Sequence, residues 1–124
     1  MNEKEIRNFI VNELSNLEFK QCTKGFKYLC EAIYICIDDI NALDNICKNV
    51  YPKIAFKYSE KSYLNVKWCI EQVITTMYNN TDMKVLCDFF KINENLKPST
   101  KYIIYTIVSK YYWNIENNKN IVNI

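Results

Sequence analysis

One glycine and two prolines in 124 residues constrain this chain more than any other feature. Tight turns of sheet proteins draw heavily on glycine and proline, and this sequence has almost none to spend. Long helices joined by polar connectors are what such a sequence can build. Apolar residues recur at helical spacing. Ile6, Phe9, Ile10, Leu14 and Leu17 share a stripe in residues 3 to 17. A second stripe carries Tyr28 or Leu29, then Ala32, Ile33, Cys36, Ile37 and Ile40, with Gly25 at the start of that helix. Leu43, Ile46, Cys47 and Val50 predict a short third helix running into Pro52. Val85, Leu86, Phe89 and Phe90 follow Thr81 or Asp82 as a cap, and Asn93 to Lys97 reads as a loop. Ile103, Ile104, Ile107, Val108 and Tyr111 mark a last helix started by Pro98, Ser99 and Thr100. The expected fold is all-α, a single compact bundle of about six helices over residues 1 to 124. Residues 1 to 19 form an extra N-terminal helix and residues 114 to 124 a frayed tail.

Tyr51 to Tyr78 organises the rest. Pro52 suits a first helical turn, where its missing N–H costs nothing, and Ile54, Ala55 and Tyr58 share one face. Ser59 to Ser62 interrupts the pattern, and Ser62 can cap a longer helix with Val66, Ile70, Val73, Ile74 and Met77 inward. A short helix, a tight turn and a longer helix make a helix-turn-helix. Residues 48 to 67 hold five lysines (Lys48, Lys53, Lys57, Lys61, Lys67) against Glu60, and residues 97 to 110 add three more with no acid. The net charge is only +2, but the positive charge is thus concentrated on the candidate helix-turn-helix and on one later helix.

Six cysteines without a CxxC pair, and no histidine, lack the spacing of a zinc site. No metal or cofactor is expected, and reduced, structural cysteines point to the cytoplasm. The longest uncharged apolar run, Tyr102 to Val108, is far short of the roughly 20 residues that span a bilayer. With no histidine, no glycine-rich phosphate loop and scattered acids, no enzyme constellation is present.

Lys24-Gly25-Phe26-Lys27-Tyr28-Leu29 with Glu31-Ala32-Ile33 resembles the KGYxYLxEAI of the stage-zero sporulation protein A family, response regulators of endospore-forming bacteria. Val50 to Tyr58, VYPKIAFKY, resembles the family's LYPxIAKKF. Val66 and Ile70 fit its V-x-x-x-I, and Lys97-Pro98-Ser99 its K-P-T. The similarity covers roughly residues 20 to 112 and implies the DNA-binding effector domain, helical and dimerising through its last helix. The family's N-terminal receiver, with its phosphorylatable aspartate, has no counterpart in these motifs, so a stand-alone effector domain is expected, controlled in some other way.

Where the family presents Arg-Val-Glu-Arg-Ala-Ile-Arg-His in its recognition helix, this chain presents Asn65-Val66-Lys67-Trp68-Cys69-Ile70-Glu71-Gln72. Packing positions are kept and reading positions changed. Base-reading candidates from about Ser62 to Tyr78 are Asn65 and Gln72 for adenine, Lys67 for guanine, Glu71 for cytosine, and Trp68 for apolar contact. Two placements stay open for Trp68: exposed at an interface, or packed against Tyr63 or Leu64. Lys53, Lys57, Lys61 and Ser62 are candidates for phosphate contact. Tyr111, Tyr112 and Trp113 cannot all face one small core and are candidates for a homodimer contact. The expected function is a sequence-specific regulator of transcription that binds double-stranded DNA in sporulation control. The alternative, motivated by Trp68 and Glu71 in place of arginines, is a receiver-less paralogue that has lost base reading and associates with RNA polymerase or a full-length relative.

Overall fold

The computed structural model describes residues 2 to 93 and 96 to 122, the side chains only as far as Asn118. The described residues fold into seven α-helices and one 3-10 turn, with no strand among them. The helices are α1 (Glu3–Leu14), α2 (Lys24–Asp38), α3 (Ile46–Asn49), α4 (Tyr51–Lys57), α5 (Tyr63–Asn80), α6 (Met83–Phe90) and α7 (Thr100–Val122). The 3-10 turn, Ile40–Asn45, lies between α2 and α3.

Side-chain caps set most of the starts. The N–H of Glu5 donates to Asn2 Oδ1 at 2.9 Å, that of Phe26 to Thr23 Oγ1 at 3.2 Å, and that of Lys84 to Asp82 Oδ1 at 2.9 Å. Each satisfies a donor that the first turn leaves unpaired. Thr81, expected as an alternative cap for α6, closes α5 instead. It is buried, and its Oγ1 accepts the Glu18 N–H at 3.0 Å, tying the segment after α1 to the end of α5.

The expected third helix is divided. Asp39 Oδ1 accepts from the Asn41 N–H and Asn45 Oδ1 from the Lys48 N–H, each at 3.1 Å. Each cap starts a new segment, because Asp and Asn side chains compete with the helical ladder for backbone donors. At the other end of the chain, the tail read as frayed from residue 114 continues as helix to Val122. No glycine or proline follows Pro98, and asparagine weakens a helix by only a few tenths of a kcal/mol, on the order of 0.7 at most. Asn123 and Ile124 lie outside the described residues, as do Glu94 and Asn95 of the loop expected over Asn93 to Lys97.

Helix α2 is the hub, packed against α1, α4, α5, α7 and the 3-10 turn. Leu29, Ala32, Ile33 and Cys36 from α2 are fully buried with Ile10 and Leu14 from α1, Val66 and Ile70 from α5, and Ile103, Ile104, Ile107 and Val108 from α7. Gly25 makes this arrangement possible. A Cβ there would lie 2.2 Å from the carbonyl oxygen of Cys69 and 2.9 Å from Val73 Cβ, so α2 crosses α5 at a backbone contact only glycine permits. No described helix is long and apolar enough to cross a membrane.

Candidate nucleic-acid interface

Helices α4 and α5 form the helix-turn-helix. Helix α4 ends in a Schellman arrangement: the Glu60 N–H donates to the Ala55 carbonyl at 2.9 Å and the Ser59 N–H to that of Phe56 at 3.4 Å. This places Ser59 in the left-handed region, with φ of 57°, a position usually held by glycine. Ser62 then caps α5, its Oγ accepting the Leu64 N–H at 3.1 Å.

The turn is clamped to α2. Tyr28 Oη donates to Glu60 Oε1 at 2.6 Å, and Lys24 Nζ lies 3.6 Å from the same oxygen. The hydrogen bond from Tyr28, followed by the charge of Lys24, holds the Glu60 carboxyl below its ordinary pKa. Burial, reinforced by Glu60, pushes the Tyr28 phenol above its own. The Tyr28 and Tyr58 rings lie 5.4 Å apart, and Lys27 Nζ sits 4.4 Å from the Tyr58 ring centre. The turn and the end of α4 are therefore fixed by side chains of the K-G-F-K-Y segment. In the sequence Glu60 stands out only as the one acid among five lysines and as part of the break in the apolar pattern, with nothing local to tie it to Tyr28.

Val66, Ile70, Val73, Ile74 and Met77 are all buried, as their spacing predicts. At about 100° per residue, Trp68 falls about 180° away from that stripe. It is 62% exposed, so packing against Tyr63 or Leu64 does not bury it. Asn65, Glu71 and Gln72 are exposed around it, while Lys67 is half-buried on the flank. Trp68 and Gln72 border a shallow cleft of about 220 Å³ shared with Lys24 at the start of α2 and with Lys20 in the segment before it. On the same outward side, Lys97 Nζ donates to Thr75 Oγ1 at 2.5 Å. Three lysines from other elements thus stand beside the outward face of α5, brought there by tertiary packing and invisible to local spacing.

The phosphate-contact candidates divide. Lys53 and Lys61 are exposed, and the Ser62 hydroxyl, though accepting its cap bond, keeps its own proton to donate. Lys57 is engaged internally: its Nζ donates to Glu31 Oε1 at 2.9 Å. Glu31 is buried, and Arg7 Nη1 holds its other oxygen at 2.8 Å. Burial pushes the Glu31 carboxyl up, but the hydrogen bonds from Arg7 and Lys57 outweigh it and hold the carboxyl below its ordinary value. The Arg7 guanidinium also lies 4.2 Å from the Tyr34 ring centre. This Arg7–Glu31–Lys57 bridge joins α1, α2 and α4, and sequence separations of 24 and 26 residues kept it from local reading.

Among the last-helix aromatics, Tyr111 is buried and meets Phe9 edge-on at 5.7 Å, which removes it as a surface contact. Tyr112 is 41% and Trp113 65% exposed. Three consecutive residues spread over about 200° of a helix, so only one of them can face the core. Phe56, outside the candidate set, is 89% exposed on α4. Its position, two residues from buried Ile54 and next to Ala55, was the available signal, because the outward side of a short helix begins there.

A protein-family model described as Sporulation initiation factor Spo0A C terminal matches residues 10–111. That stretch contains the clamp, both helices of the helix-turn-helix and the first half of α7. The chain belongs to this family of DNA-binding regulatory domains in sporulation initiation, which is not a family of enzymes.

Proposed function

We propose that this member of the family is a sequence-specific regulator of transcription that lays the outward face of α5 in the major groove of double-stranded DNA. The single observation that carries the reading is that face itself: Trp68 stands opposite the buried stripe with Asn65, Glu71 and Gln72 exposed beside it. Asn65 and Gln72 offer the donor and acceptor pair that adenine's major-groove edge needs, and Glu71 accepts from cytosine. Trp68 supplies apolar surface suited to a thymine methyl group. Lysines at 20, 53, 61 and 97 supply the sequence-independent attraction to phosphates, and Lys67 reaches from the flank. With the family's arginines replaced, the preferred site differs from the family's usual one.

Selection from a random duplex pool, followed by fluorescence anisotropy of the enriched site over a salt series, tests this. The expected result is an enriched motif bound with an affinity that falls steeply with salt. No enrichment and no salt dependence would sink the proposal.

A second reading is supported by two exposed aromatics on the same motif, Phe56 at 89% and Trp68 at 62%. Exposed aromatic residues are characteristic anchors of protein interfaces, and Glu71 opposes phosphates. On this reading the helix-turn-helix engages RNA polymerase or a full-length relative. Trp68→Arg with Glu71→Arg then creates DNA binding that the natural chain lacks; a double variant that gains none speaks against it.

A further inference from the structure

A groove of about 520 Å³ lies between the 3-10 turn and the start of α7, with no residue of α4 or α5 in its lining. Its surface is chiefly apolar: Ile40 and Leu43 come from the turn, Tyr102 and Tyr105 from α7. The volume is that of a small-molecule site.

The walls are fixed before anything binds. Tyr102 Oη donates to the Phe90 carbonyl at 2.6 Å, and the Tyr102 N–H donates to Ser99 Oγ at 3.1 Å. On the other wall Leu43 is packed into the core, and the Asp39 cap starts the turn. Ile40 and Tyr105, by contrast, remain 49% and 54% exposed at the rim. That is apolar surface for a ligand to cover, with little ordering cost to the protein.

Polar groups are sorted by wall. In a 3-10 helix, side chains three residues apart eclipse, so Ile40 and Leu43 form one row, and Asn41 and Asp44 the next. On α7, Lys101 lies one turn before Tyr105, about 40° away around the helix. The Ser99 hydroxyl accepts its cap bond and keeps its own proton to donate. The turn thus offers the groove a carboxylate and an amide, and α7 offers an ammonium and a hydroxyl. Asp44 and Lys101 are both exposed, and among the described residues no ion pair joins them or engages either elsewhere. An anion bound here would be repelled by Asp44, a cation by Lys101, and a neutral ligand would use neither. Walls of opposite, unpaired charge complement a molecule that carries opposite charges at its own two ends.

We infer that this groove binds a short apolar peptide with free termini, of about dipeptide size. Its ammonium lies at Asp44, its carboxylate at Lys101 and Ser99, and its side chains against Ile40, Leu43 and the two tyrosine rings. In a free amino acid both charges sit on one carbon, whereas an extended dipeptide separates them by about 7 Å and can reach both walls. The site lies apart from the outward face of α5 and is tested without DNA, so it stands or falls separately from the DNA-binding reading.

NMR titration of the isotope-labelled full chain with leucyl-phenylalanine tests the inference. Saturable shifts are expected in the 3-10 turn and from Ser99 to Tyr105, with a dissociation constant on the order of 0.1 mM, as ligands of this size reach. Acetylating the dipeptide's amine and amidating its carboxylate are each expected to weaken binding about five-fold, as loss of a partly exposed ion pair does. Asp44→Ala should abolish the penalty for acetylation and keep that for amidation, and Lys101→Ala should do the reverse. Tyr105→Ala should weaken the free and blocked dipeptides alike, because it removes apolar wall and no charge. All three side chains are exposed, and circular dichroism of each variant reports that the fold is kept. No shifts at about ten-fold higher ligand concentration would overturn the inference. So would shifts confined to other parts of the chain, equal binding of free and blocked dipeptides, or penalties that Asp44→Ala and Lys101→Ala leave unchanged.

Discussion

The two sides of α5 are built on opposite principles. Its inner side is held to α2 at backbone distance, with no room for a single methyl group at Gly25. Its outer side carries a tryptophan, two amides and a carboxylate in solvent, with lysines standing around them. The inner side keeps Val66 and Ile70 where the family motif has V-x-x-x-I, whereas the outer side carries Asn65, Lys67, Trp68, Glu71 and Gln72 in place of the residues that the family motif presents there. On the proposed function, the two tasks of a recognition helix fall on opposite sides of α5. Placement depends on packing that tolerates little change, and reading depends on side chains whose replacement disturbs no core.

The largest expected effect breaks the inner side. In Gly25→Ala the new methyl meets a carbonyl that cannot move without shifting α5, an overpacking cost of up to about 3 kcal/mol. The gain in helix propensity offsets about 1 kcal/mol of it. A net loss of about 2 kcal/mol should appear as a lower urea midpoint, and an unchanged midpoint would mean that α2 and α5 are less closely pinned. Next comes Glu31→Gln, which leaves Arg7 and Lys57 without their shared carboxylate. Both cations are partly exposed, so the loss is about 1 kcal/mol rather than the larger figure for a fully buried pair. Because the carboxyl's pKa is lowered in the folded state, its contribution is present above the unfolded value of about 4.3 and fades as pH falls through the folded value. Acid unfolding followed by circular dichroism should therefore be shallower in the variant than in the natural chain below about pH 4.

Smaller effects sharpen the comparison. Ser59→Gly relieves a left-handed residue at the end of α4 and should stabilise by about 0.5 to 1 kcal/mol, read as a higher urea midpoint. A loss instead would show that the serine side chain holds the turn. On the outer side, Trp68→Ala should leave the midpoint within about 0.5 kcal/mol while weakening binding to the selected DNA. A large loss of stability would place Trp68 on the packed side of the helix after all.

The inner side of α5 was legible in the sequence because burial of one helical face writes itself at a spacing of three and four residues. All five buried positions from Val66 to Met77 follow that rule. The start of α4 at Pro52 and the Ser62 cap are equally local. What spacing could not show depends on where separate helices meet. Glu31 lies in an apolar stretch, and nothing nearby announces that Arg7 and Lys57 arrive from two other helices to neutralise it. Lys20, Lys24 and Lys97 reach the outward face of α5 only because the start of α2, the segment before it and the segment before α7 fold beside α5. Tyr111 illustrates the converse, since a run of three aromatics marks apolar surface without saying which ring turns inward.

The backbone contact at Gly25 also bears on how such a domain can diverge or be redesigned. A helix positioned by its own carbonyl, rather than by the tips of interlocking side chains, keeps its location when its outer residues are exchanged. If α5 reads DNA as proposed, exposed Asn65, Trp68, Glu71 and Gln72 form a replaceable cassette on a fixed mount. New specificities can be explored at these four positions without first re-engineering the bundle, and a lineage can lose one target and acquire another while remaining folded at every step.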